Sequence, residues 1–277
     1  MQANKFDIIP DRESIDAIDR EIRFFPTDND KPKQLSVDQI EAWNQEGYLG
    51  PLDVYQQSEI ESIREYFDDL LQREIAAGGD SYSISSAHLK HAQVWDILNH
   101  PTIVSYVSDL LGENVIGWGS HFFCKLPGDG KHVDWHQDCS YWPLTPTKSV
   151  TVWLAIDDAD KGNGCMEVFT GSHTRGLVEF AISSQGDDNV LNQTVRNPEQ
   201  YGDLRCTPLK AGQISIHSDL LLHGSSPNDS DRRRCGLTLR YCPHDVVAHM
   251  GWNRKGVVVA GKSDPASWPG AARPNED

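Results

Sequence analysis

No stretch of this 277-residue sequence is apolar over the length needed to span a bilayer, and the opening Met1-Gln2-Ala3-Asn4-Lys5-Phe6-Asp7 lacks the apolar core of a signal peptide. A cytoplasmic location is expected. Positive charge is scarce, with 25 Lys and Arg against 41 Asp and Glu, which leaves a formal net charge of −16. Such a surface repels phosphodiester backbones and anionic headgroups, so neither nucleic acid nor membrane is expected as a partner. Cys124, Cys139, Cys165, Cys206, Cys235 and Cys242 contain no CxxC pair. Without an export signal they read as reduced core residues, not as a disulfide framework or a zinc site. There is no internal repeat and no low-complexity tract. Against these absences, 38% hydrophobic residues and eight tryptophans suffice for a packed core and exclude disorder.

Residues 1–33 are polar, charged and interrupted by Pro10, Pro26 and Pro32, which predicts an extended arm that either moves freely or lies across a surface. The remainder, 34–277, is expected to be one domain, because β-barrels with helical decoration run to this length as single units. Its first part, 34–112, reads as helical support. Ser36 and Gln39 form a capping box, and Gly47 ends the helix they begin. Ile60, Ile63, Phe67, Leu70 and Leu71 recur at helical spacing, as do Ile103, Val104, Tyr106, Val107, Leu110 and Leu111 before Gly112. The stretch from Ser81 to that last helix begins as loop. Beyond Asn114 come β-rich runs with polar turns, at 115–126, 133–141, 149–156, 165–169, 213–217, 220–223 and 236–242. Strands at this density over 113–243 predict a mainly β sandwich or barrel. Residues 182–205 read as a polar insertion bordering the site, and 244–277 as a tail.

Within the β-rich half, Val133-Asp134-Trp135-His136-Gln137-Asp138 sets an imidazole and a carboxylate two residues apart on an expected strand, where i and i+2 share a face. His136 and Asp138 thus offer two legs of a 2-His-1-carboxylate triad, the ferrous arrangement that leaves three positions open for cosubstrate and oxygen. Two distant histidines are candidates for the third leg. His217 heads a second HxD with Asp219, whereas His223 ends the apolar run Leu220-Leu221-Leu222 at a tight turn, where a barrel mouth presents ligands. His223 is preferred, with His217 as the structural alternative. An isolated HxD is more often a surface strand with a solvated Asp.

Further motifs share the order they have in a known family. Trp135-His136-Gln137-Asp138, Val152-Trp153-Leu154-Ala155-Ile156, Asn163-Gly164-Cys165-Met166, Gly171-Ser172-His173, and His223-Gly224-Ser225 followed by Asn228 and Arg234 resemble the phytanoyl-CoA dioxygenase family over about residues 34–243. The resemblance implies a double-stranded β-helix, a jelly-roll or cupin-like barrel with supporting N-terminal α-helices. It implies iron(II), 2-oxoglutarate and O2 as cofactors and cosubstrates, with His136, Asp138 and His223 on the iron. It also places Arg234, eleven residues after the distal histidine, on the far carboxylate of 2-oxoglutarate. Ser225 donates to the same carboxylate, Trp153 lines the pocket and Lys125 is a weaker anion contact. A guanidinium suits that role because its planar, permanently charged fork matches a carboxylate. Arg232, Arg233 and Arg240 are rivals, since on a strand 234, 236, 238 and 240 share a face. The implied reaction couples decarboxylation of 2-oxoglutarate to succinate with hydroxylation. Halogenating members have a small residue where Asp138 stands, so hydroxylation is favoured.

Substrate contacts are expected from Tyr141 and Trp142 beside the metal strand and from His88 and Lys90 on a covering loop, against the plainer readings of aromatic core and exposed polar segment. His173 reads as a turn hydrogen bond and Cys139 as buried and inert. An acidic surface offers no basic patch for a nucleotide diphosphate, so a small polar substrate is preferred to a CoA thioester. Amino acids, aminophosphonates such as 2-aminoethylphosphonate and natural-product intermediates fit that class. The alternatives are a noncatalytic ligand-binding or sensing protein on the same barrel and a cupin-like metal hydrolase or isomerase that needs metal but not 2-oxoglutarate. A monomer or small homo-oligomer is expected.

Overall fold

A computed structural model describes residues 10–183 and 188–275. The opening stretch read above for a leader, four residues of the expected insertion and the last two residues lie outside the described residues. Strands β1 (Tyr48–Asp53), β2 (Val115–Lys125), β3 (Val133–His136), β4 (Val150–Ala155), β5 (Glu167–Thr170), β6 (Asp203–Cys206), β7 (Gln213–Ser218), β8 (Leu222–Ser225), β9 (Arg234–Pro243) and β10 (Val257–Ala260) build two antiparallel sheets. The six-stranded sheet runs β1-β7-β4-β9-β2-β10 and the four-stranded sheet β3-β8-β5-β6. They face each other across one cavity, lined from both sides. This is the double-stranded β-helix that the motif order implies.

Alternation at period two sorts the large sheet into a dry face and a chemical face. Cys235, Leu237, Leu239 and Tyr241 of β9, Val150, Val152 and Leu154 of β4, and Ile214 and Ile216 of β7 bury into the main core. The intervening Arg234, Thr238, Arg240, Thr151, Trp153 and His217 line the cavity. Helices cover the dry face: α1 (Arg12–Asp16) belongs to the arm, and α2 (Val37–Glu46), α3 (Gln57–Ala76), α4 (Ala92–Leu98) and α5 (Pro101–Leu111) supply the support. The capping box at Ser36 forms, with the Gln39 N–H donating to Ser36 Oγ at 3.1 Å and the Ser36 N–H to Gln39 Oε1 at 2.8 Å. Gly47 ends α2 in the left-handed region at φ 71°, where a side chain is disfavoured. The apolar stripe expected in α3 is buried, and Phe67 stacks on Phe122 of β2 at 4.8 Å. The segment read as loop after Ser81 folds into a 3-10 turn and α4, whose Val94, Ile97 and Leu98 join the same core.

Of the two options for the arm, its described part lies across the surface. Arg20 Nη1 donates to the carbonyls of Cys139 and Trp142 at 2.8 and 3.0 Å, and the backbone N–H groups of Lys33, Gln34 and Leu35 converge on the Asp109 carboxylate. The stretch read as a tail is integral. β10 pairs with β2, and Trp252 and Trp268 pack with Trp118 and Trp142. The insertion ends in β6, which pairs with β5. No described helix is long and apolar enough to cross a membrane.

Candidate active site

His136 closes β3 directly across from His223 on β8, with ring centroids 4.1 Å apart. Asp138 meets them, but not by strand alternation. The strand stops at His136, and Asp138 begins a 3-10 turn that runs to Tyr141. Gln137 fixes the junction: its amide donates to the carbonyls of Leu220 and Gly176 at 2.6 and 2.9 Å and accepts from the Val178 N–H at 2.8 Å. One ligand-capable atom from each of His136, Asp138 and His223 lies within 4.8 Å of the others.

The protonation pattern suits a cation. Nδ1 of His136 meets the Asp134 carbonyl at 2.8 Å, and Nδ1 of His223 meets the Leu221 carbonyl at 2.9 Å. A carbonyl only accepts, so each Nδ1 carries the proton and each Nε2 keeps its lone pair. Burial holds both imidazoles neutral, with His223 well below the usual histidine range. Burial opposes the charge on Asp138, yet His217, His223 and Arg240 around it outweigh burial, and the carboxyl stays below its ordinary range. Thr151 Oγ1 donates to Asp138 Oδ2 at 2.7 Å, and His217 Nε2 lies 3.5 Å from the same oxygen. Two neutral imidazoles and one ionised carboxylate form a donor set for a divalent metal such as iron(II). His217 braces the carboxylate from the adjacent strand β7. Its HxD spacing with Asp219 was visible in the sequence; its contact with Asp138 was not.

Arg234 lies on the cavity face of β9. Its Nε and Nη2 donate to the Gly164 carbonyl at 3.0 and 2.6 Å, and Nη2 also reaches Ser225 Oγ at 3.2 Å. Trp153 lies beside it, 5.6 Å from ring centroid to guanidinium, and rests on Gly236, where a Cβ would come within 2.0 Å of the indole. The rivals Arg232 and Arg233 turn away onto Asp160, Asp157 and Asp68. Arg240 does line the cavity, at the end bounded by Trp118, Trp142 and Trp252.

Four expected contacts divide evenly. Tyr141 and Trp142 line the cavity. His88 is buried in the turn Ala87–Leu89 with Nδ1 on Ser120 Oγ at 2.8 Å and Nε2 on the Lys255 carbonyl at 3.1 Å, off the wall, and Lys90, just past that turn, is exposed. Lys125 is likewise off the wall. Fully buried, it donates to the carbonyls of Ser225 and Ser226 and so holds the turn after β8. His173 meets the Asn44 carbonyl at 3.3 Å, and Cys139 is buried with its thiol pushed up by burial. Sequence reasoning missed Lys255 and Trp252, which sit in the supposed tail; the β-branched Val257-Val258-Val259 after them was the available signal.

The model of the phytanoyl-CoA dioxygenase (PhyH) family matches residues 43–236. A probable alpha-ketoglutarate-dependent hypophosphite dioxygenase of Stutzerimonas stutzeri is 30% identical over 195 residues, 65% of this chain and 65% of that protein. Peroxisomal phytanoyl-CoA dioxygenase of Bos taurus is 23% identical over 230 residues, covering 75% of this chain and 68% of the relative. Among solved structures, the apo form of the non-heme monooxygenase ThoJ superposes with a TM-score of 0.71 at 25% identity, over 86% of this chain and 88% of that one.

Proposed function

The chain belongs to the phytanoyl-CoA dioxygenase family, and from that premise we propose that it is an iron(II)- and 2-oxoglutarate-dependent dioxygenase that hydroxylates a small polar organic molecule. His136, Asp138 and His223 hold the iron, and Arg234, Ser225 and Trp153 hold 2-oxoglutarate at one end of the cavity. With both bound, iron and 2-oxoglutarate activate O2 so that one oxygen atom ends in succinate, with loss of carbon dioxide, and the other in the hydroxylated product. The chain's own work is positional. The two Nδ1–carbonyl hydrogen bonds aim both Nε2 lone pairs inward, Thr151 and His217 fix the carboxylate, and the Gly164 carbonyl sets the plane of the Arg234 fork. The apolar and aromatic walls keep water from the reacting centre.

The observation that carries this reading is the buried triad, with both imidazoles held in the ligating tautomer, in a cavity shared with Arg234. Two sheets enclose that cavity, which favours a small polar molecule over a CoA thioester. The test is an anaerobic titration of the iron(II) protein with 2-oxoglutarate followed by admission of O2. A visible charge-transfer band and then slow succinate release are expected. If no band and no succinate appear, 2-oxoglutarate is not the cosubstrate.

A further inference from the structure

At the end of the cavity away from Arg234 stands a second pair of cations. Arg240 lies six residues further along the same face of β9, and Lys255 approaches from the turn Trp252–Lys255. Both line the cavity. The guanidinium lies 5.3 Å over the ring of Trp142, and the ammonium 3.8 Å over the ring of Trp252. No acidic side chain forms an ion pair with either among the described residues, only the field of Asp138 reaches Arg240, and the buried Nε of Arg240 has no hydrogen-bond partner there. The neighbouring arginines differ: Arg234 is held by a carbonyl and a hydroxyl, and the partly buried Arg233 by two aspartates. Asp138 is the only carboxylate on the described wall, and Thr151, His217 and the metal position already claim it. Two like charges held together and partly desolvated are unfavourable unless an anion joins them.

We propose that Arg240 and Lys255 form the substrate's anion seat, so that the molecule hydroxylated carries a carboxylate or phospho-oxyanion head between them and lays its apolar part against Trp118. This rests on the oxygenase reading and narrows its substrate class. A planar guanidinium beside an ammonium matches either oxyanion, one by a fork and the other by a point charge. Aromatic rings behind the two cations remove competing water. Burial, and then Arg240, already press the Lys255 amine down to about 8, a cost that a bound anion reverses. With the faces of Trp142 and Trp252 occupied by cations and no free carboxylate on the described wall, a substrate ammonium finds no counter-charge. The substrate is therefore an anion, not a zwitterion.

The test uses zinc-loaded protein saturated with 2-oxoglutarate, titrated calorimetrically with acetate, benzoate and phenylphosphonate and with the neutral counterparts benzamide and benzyl alcohol. At least one anion binds and the neutral molecules do not. Arg240→Gln and Lys255→Gln each weaken anion binding by at least about tenfold, as loss of a charge-assisted contact does, while 2-oxoglutarate binds both variants as it binds the wild type. The proposal is overturned if no anion binds, if neutral molecules bind equally well, or if both variants bind anions like the wild type, which would leave Arg240 a packing partner of Trp142. Lys255 is half-buried at the rim, so Lys255→Gln decides the matter should Arg240→Gln fail to fold. If 2-oxoglutarate itself fails to bind, the oxygenase reading falls, and the same titration without it still tests the seat.

Discussion

The two ends of the cavity carry the same chemistry, an arginine from β9 with a lysine beside it, in opposite states of satisfaction. At one end Arg234 is tied to the Gly164 carbonyl and Ser225, and Lys125 is fully buried on two backbone carbonyls. At the other, Arg240 and Lys255 lie over indole faces and form no ion pair among the described residues. A guanidinium whose plane is already fixed is prepared for one ligand of known shape. A pair held over ring faces can adjust to the ligand it receives. One strand thus presents a rigid clamp and an adaptable one to the same metal centre, which suits an invariant cosubstrate and a separate substrate.

The comparison breaks first if the centre between the ends is wrong. His136→Ala or Asp138→Ala should abolish iron retention after dialysis and succinate formation with it, while both cationic ends remain in place. Iron content and turnover at wild-type levels in either variant would mean that the triad is not the metal site. Next in size, Arg234→Lys should raise the 2-oxoglutarate needed for half-maximal succinate formation roughly 10- to 100-fold, the cost of one bidentate charge-assisted contact at about 1.5–3 kcal/mol. Arg240→Lys should leave that requirement unchanged. If the effects are exchanged, the cosubstrate and substrate ends trade places.

A smaller effect is expected one layer behind the metal. Thr151→Val keeps the shape of the side chain but removes the hydroxyl that donates to Asp138 Oδ2 at 2.7 Å. Loss of such a supporting hydrogen bond typically weakens metal binding about 10-fold, to be read as faster iron loss to a competing chelator. Unchanged iron loss would show that His217 alone orients the carboxylate.

How far the sequence foretold these ends follows from which contacts are local. Ser36 with Gln39, the stripe in α3 and the inward register of Arg234 and Arg240 depend on neighbours a few residues away, and their periodicities are written in the chain. His136 and Asp138 are neighbours as the HxD spacing predicts, but not through strand alternation, since the strand ends between them and Gln137 locks the turn through Leu220 and Gly176. The motif order of the family pointed to Arg234 and its surroundings. It was silent on Lys255 and Trp252, because they reach the cavity only once β10 pairs with a strand more than a hundred residues earlier. Lys125 shows the reverse error. A lysine beside an anion clamp invites a ligand role, yet on β2 its side chain turns to carbonyls of the loop after β8.

That lysine supplies the subtlest way to sharpen the contrast. Burial first, and then the charge of Arg234, push its amine from the ordinary 10.5 down to about 6. Between those two values the unfolded chain holds a proton that the folded protein gives up, so this residue makes stability rise with pH, by at most about 1.4 kcal/mol per pH unit, and the gain is lost as pH falls toward 6. Lys125→Met removes the titration and keeps most of the volume. Urea denaturation at pH 7 and pH 8, without 2-oxoglutarate, should therefore show the wild type gaining on the variant as pH rises. A difference that stays flat would mean that Lys125 remains charged when folded, and that the end at Arg234 carries as much unbalanced positive charge as the end at Arg240.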